Sequence, residues 1–152
     1  MQSGHCAILH KIPAVFCLFS SWPVVLMKAK IYNINKGAAM KIIKEKTNIS
    51  ELKQISEDMF GNLVKAVIDV EKGIIAVGGE LHSDEEALLL EKGSEQKNLW
   101  GFNIYPYEKG DSFIEFDSMI NIKPSSGNRT RSVDAPEIRE RIMRIVEAIV
   151  EK

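Results

Sequence analysis

"LVKAVIDVEKGIIAVGGELHSDEEALLL", residues 63–90, sets two kinds of pattern back to back. Its first eight residues are rich in β-branched side chains, and Val64, Ala66, Ile68 and Val70 fall on one side of an extended chain. Glu71-Lys72-Gly73 supplies a turn, and "IIAVGGE" (74–80) reads as the returning strand of a hairpin. The pattern then changes. Ser83-Asp84-Glu85-Glu86 matches a capping box, and a short apolar run follows to Leu90 before Gly93, as for a helix. Asp84, Glu85 and Glu86 occupy its first turn, where the helix dipole favours negative charge.

Working outward, the same punctuation recurs on both sides. Upstream, Asn48 stands as an N-cap with Glu51 three residues on, and Ile49, Leu52, Ile55 and Met59 follow at helical spacing until Gly61. Downstream, "LWGFNIYP" (99–106) and "FIEFDSMINIKP" (113–124) read as strands joined around "YEKGD", a second hairpin. The loop "SSGNRTRS" (125–132) leads to a last helix, with Asp134 as cap, Pro136 in the first turn and Glu137 at the capping-box position. Ile138, Ile142, Ile145, Val146 and Ile149 form its apolar stripe. The order α-β-β-α-β-β-α predicts an α+β fold, a mainly antiparallel sheet with helices packed on one face.

Several of these stretches also carry a resemblance. "GGELHSDEE", Gly93-Ser94, "WGFNIYP", "FDSMINIKPSSGNRTR" and "EIRERI" resemble a family of small archaeal and bacterial proteins of unknown function. The resemblance runs from Met40 to nearly the end of the chain. It implies a domain of that family and no activity.

Composition narrows the function classes. The 152 residues are 45% hydrophobic and 27% charged with a net charge of −1, an ordinary soluble balance that suits one domain. Residues 1–39 hold four lysines and no acid, so the remaining 113 residues carry 16 bases against 21 acids. That acidic body argues against nucleic-acid binding, which needs a surplus of Lys and Arg. Cys6 and Cys17 both lie in the leading segment with His5 and His10, so the body has no thiolate for a disulfide or zinc site and reads as cytoplasmic. "IPAVFCLFSSWPVVLM" (12–27) is shorter than the roughly 20 apolar residues of a membrane span. We expect residues 1–39 to be a disordered leader or an over-extended gene start, and residues 40–152 to be a single globular domain; a targeting or anchoring segment and a docked N-terminal element are the other readings, and only an anchor would bring in a membrane.

Three constellations can carry chemistry. Glu80 and His82 share a side if the strand runs on through them, and a neutral imidazole beside a carboxylate can move a proton. The simpler reading is a histidine hydrogen-bonded to backbone near a helix start. Second, alternation places Glu115, Asp117, Met119 and Asn121 on one face of "FIEFDSMINIKP", with Asn103 and Tyr105 facing them if the hairpin register agrees. The simpler reading there is a solvated outer face. Third, "SSGNRTRS" brings Asn128, Arg129 and Arg131 to an acidic body; a loop of this kind grips a phosphate or carboxylate, or pairs with the chain's own acids such as Asp117.

The expected function is that of a small soluble protein binding an anionic small molecule in a polar pocket. Arg129, Arg131 and Asn128 would hold the anion, Asn103 and Asn121 would orient it, and His82 with Glu80 or Asp117 would carry any proton transfer. A tight zinc site is not expected with one histidine and no cysteine in the body, Glu115 and Asp117 could coordinate Mg²⁺ or Mn²⁺ through oxygen, and no nucleophile is evident. The competing class is a non-catalytic interaction module or homodimer, with Tyr105 and Tyr107 as exposed contacts.

Overall fold

The computed structural model describes residues 39–151, so the readings of the leader lie outside the described residues. A five-stranded antiparallel sheet forms the centre, built from β1 (Lys41–Ile43), β3 (Val64–Asp69), β4 (Ile74–Val77), β5 (Leu99–Ile104) and β6 (Ile114–Glu115) in the order β1-β4-β3-β5-β6. A separate parallel pair, β2 (Thr47–Asn48) with β7 (Val150–Glu151), ties the start of the first helix to the end of the last. The helices are α1 (Ile49–Met59), α2 (His82–Glu91) and α3 (Pro136–Ile149). The expected α-β-β-α-β-β-α series is present within this order, and the class is α+β.

The first hairpin forms as the sequence predicts. Asp69 is buried at its turn and accepts from the amides of Glu71 and Lys72, while Gly73 takes the positive φ that closes it. Asn48 caps α1 by accepting from the Ser50 amide, and Gly61 ends it by donating to the Ser56 carbonyl. Glu51 departs from the capping-box role: it bonds Thr47 and Lys41 instead.

The helices lie on both faces of the sheet, not on one. Val64, Ala66, Ile68, Val77, Trp100 and Phe102 pack with Leu52 and Ile55 of α1 and with Ile142 and Val146 of α3. The alternate residues Val67, Ala76 and Leu99 pack with Leu89 of α2 on the opposite face. The physical reason was present in the composition: Ala66-Val67-Ile68 and Ile74–Val77 are continuous apolar runs, the pattern of strands covered on both sides.

The second hairpin is much shorter than expected. β6 ends at Glu115, after pairing only Asn103 with Glu115 and Ile104 with Ile114. The chain then leaves the sheet and makes 3-10 turns at Met119–Asn121 and Pro124–Ser126. Side chains complete the exposed edge of β5 where the strand is missing. Asn121 accepts from the Gly101 amide and donates to the Gly101 carbonyl, both at 2.8 Å, in place of a neighbouring peptide group. Lys123 donates to the carbonyls of Leu99 and Gln96 and lies over the Trp100 ring.

Candidate functional site

The α2 face of the sheet has an uncovered end, and there the polar residues converge. β4 stops at Val77, and Gly78 takes a positive φ of 90° that swings the chain off the sheet. Glu80 therefore does not continue the strand. It is exposed, and its carbonyl accepts from Lys65 Nζ at 2.7 Å. α2 begins at His82, two residues earlier than a cap at Ser83 implies; Leu81 occupies the cap position without a side-chain bond.

The box does not form, and its acid Glu86 accepts from Gln96 instead; Glu85 beside it has a different role. It is not a solvated first-turn acid but a fully buried carboxyl whose Oε1 accepts from the Gly79 amide at 3.1 Å. A Cβ at Gly79 would stand 2.8 Å from Glu85 Cγ, so glycine is required for this close approach. Burial pushes the Glu85 pKa up to about 8 against the opposing pull of the Gly79 amide and Lys65.

His82 turns its ring over the sheet, with Nε2 donating to the Phe102 carbonyl at 3.0 Å. A carbonyl accepts only, so this bond fixes the proton on Nε2 and leaves Nδ1 with its lone pair. Burial holds the His82 pKa below its ordinary value, and the charges of Lys65 and Arg131 act in the same direction against Phe102 and Asp117. The imidazole is neutral near pH 7.

Around it lies a pocket of about 390 Å³. At its deepest level are Asn103 and Ser118, 8% and 1% exposed. Lys65, His82, Asp117 and Ile120 form half-buried walls, and Leu81, Ser83, Met119 and Arg131 stand at the rim. The two deepest residues each keep a buried polar atom without a protein partner, Asn103 Oδ1 and Ser118 Oγ. Asn103 donates through Nδ2 to Glu115 at 2.9 Å, which settles its amide orientation. Tyr105 donates to the same carboxylate, and these two bonds hold the Glu115 pKa below the usual carboxylate range. Ser118 packs onto the backbone of Gly101, where a Cβ would lie 2.5 Å from its Oγ.

Of the loop cations, Arg131 reaches this place and Arg129 does not line it. Arg131 forms a two-pronged pair with Asp117, Nε to Oδ1 at 2.7 Å and Nη2 to Oδ2 at 2.9 Å. Its carbonyl accepts from the Ser118 amide and from Asn121 Nδ2. Asn121 and Asn128, expected to hold and orient a ligand, are buried and committed to the chain itself. Asn128 Nδ2 donates to the carbonyls of Asn121, Thr130 and Ser132, and its Oδ1 accepts from the Asp134 amide. The Asp134 carboxylate accepts from Thr130 and from the Arg129 amide, so it braces this loop while α3 starts from Ala135 without a side-chain cap.

Lys65 and Ser118 escaped the sequence reading. Lys65 interrupts the apolar run of β3 well before the turn residue Asp69, paired in register with Asn103, and that interruption was the available signal. Alternation would set Ser118 opposite the face of Glu115 and Asp117, but the strand that alternation requires does not continue past Glu115. Tyr105 is half-buried and bonds Glu115, while Tyr107 is exposed, as expected, and bonds Glu57 beneath Lys53. Among the described residues no group of three or more His, Cys, Asp or Glu is arranged to hold a metal ion, and no helix is long and apolar enough to cross a membrane. In comparisons with known proteins, residues 41–149 match the family model DUF5674, described as a protein of unknown function. No curated protein and no solved structure gives a significant match.

Proposed function

We propose, for a chain that belongs to the DUF5674 family of proteins of unknown function, that the pocket beside His82 binds a small anionic molecule. The observation that carries this reading is the convergence of Lys65, His82, Asn103, Asp117, Ser118 and Arg131 on one pocket from separate stretches of the chain. Lys65 is the principal anion-holding group, because Arg131 is already paired with Asp117. The start of α2 adds the partial positive charge of a helix N-terminus at His82 and Ser83. The pair of Asp117 and Arg131 keeps the wall in place and leaves part of the guanidinium fork to donate to a bound oxyanion.

His82 is the group for proton transfer. With Nε2 held by Phe102, Nδ1 is a neutral-pH base of modest strength, and the Lys65 charge would stabilise negative charge developing on a bound molecule. The cysteine-free body supports a cytoplasmic setting. The test is a titration of the full chain with inorganic phosphate and with succinate, followed through backbone amide signals. Lys65, His82 and Ser83 should shift together, and Lys65→Ala should weaken the binding at least tenfold. Shifts confined to Ser125–Arg129, or unchanged affinity in Lys65→Ala, would remove this reading.

A further inference from the structure

The pocket is roomier than a bare inorganic anion needs. At about 390 Å³ it falls at the lower end of the roughly 300–1,000 Å³ of small-molecule sites. Its chemistry is graded by depth, with the unpartnered Asn103 Oδ1 and Ser118 Oγ in its deepest residues and Lys65 and His82 half-buried above them. The rim is of another kind. Met119 is 65% and Leu81 56% exposed, the two most exposed large hydrophobic side chains among the described residues, and both border this one pocket. A lone exposed apolar side chain needs no explanation. Two from distant segments, meeting at the mouth of a polar pocket with half-buried Ile120 beside them, match the plan of a ligand site with apolar walls and a few placed polar groups.

We infer that the ligand is a small carboxylic acid bearing a hydroxyl or N–H next to the carboxylate and an apolar side group. This rests on the anion-site reading above and specifies its substrate class. The polar end enters first. Its O–H or N–H supplies the donor that Asn103 Oδ1 lacks, with His82 Nδ1 as a second acceptor, and Lys65 holds the carboxylate. The apolar group stays at the mouth, where Leu81 and Met119 close over it and lose their exposure to water. Leu81 and Met119 are then specificity-determining residues, and neither is needed for the fold: Leu81 sits at a helix cap with no side-chain bond, and Met119 on an exposed 3-10 turn.

Matched α-hydroxy acids test this on the full chain by NMR-detected titration. Glycolate and 2-hydroxy-4-methylpentanoate differ only in the isobutyl group, 4-methylpentanoate lacks the hydroxyl, and inorganic phosphate has no apolar part. The branched hydroxy acid should bind at least tenfold more tightly than glycolate and than 4-methylpentanoate. Leu81→Ala combined with Met119→Ala should cut the advantage over glycolate to less than threefold while glycolate binds as before. If phosphate or glycolate binds as tightly as the branched acid, or the double variant keeps the full advantage, the apolar requirement is wrong and the anion site stands. If no probe binds, phosphate included, both readings fall.

Discussion

Glu85 is 0% exposed, with one carboxyl oxygen on the Gly79 amide and the other without a partner. Folding therefore holds a proton that the unfolded chain releases near the ordinary 4.5, because the folded pKa is about 8. A raised folded pKa means that the contribution to stability is complete below about pH 4.5 and is lost as pH rises through about 8. At 1.36 kcal/mol per pKa unit the loss is at most on the order of 5 kcal/mol. Glu85→Gln keeps the acceptor for Gly79 and cannot ionise, so its stability should change less than that of wild type between about pH 5 and 9. Denaturation curves across that range check it, and parallel curves for the two proteins would contradict it. His82 differs in kind: burial keeps it neutral, and its bond to Phe102 fixes which nitrogen remains available.

The elements that position the pocket depend on a strand that stops early. Because β6 spans only Ile114 and Glu115, the edge of β5 is completed by Asn121 and Lys123 side chains, and the stretch from β6 to Asn121 carries Asp117, Ser118 and Met119 onto the α2 face. Asn121→Ala would leave the Gly101 amide and carbonyl buried without partners, at a cost of about 2–4 kcal/mol. Urea denaturation measures this; a loss below about 1 kcal/mol would show that the edge is satisfied in another way. This element also marks where the sequence ceased to be legible. Alternation in "FIEFDSMINIKP" correctly paired Asn103 with Glu115 and brought Asp117 near them, yet it could not show that an amide side chain would replace the strand beyond that point. The α1 cap and the first hairpin were legible because Asn48, Asp69, Gly61 and Gly73 act on neighbours in sequence. Glu85 was not, since an acid in a first helical turn looks the same whether it faces water or Gly79.

Across the molecule's described residues, helices pack on both faces of the sheet. α1 and α3 cover one face, α2 covers part of the other, and the pocket occupies the remainder of that second face between the start of α2 and the loops after β6. His82, Asn103, Asp117 and Arg131 were expected to meet and do; Glu80, Asn121, Asn128 and Arg129 serve the framework or stay apart, and Lys65 and Ser118 join. Binding there should stabilise the whole fold, because the unfolded chain has no such pocket. The most direct measurement is the melting temperature of the full chain, wild type and His82→Ala, across a panel of small carboxylates and phosphates. At least one compound, present at about 100 times its Kd, should raise the wild-type midpoint by about 5 °C or more and leave His82→Ala nearly unmoved. Equal shifts in the two proteins, or none in wild type, would contradict a ligand site at His82.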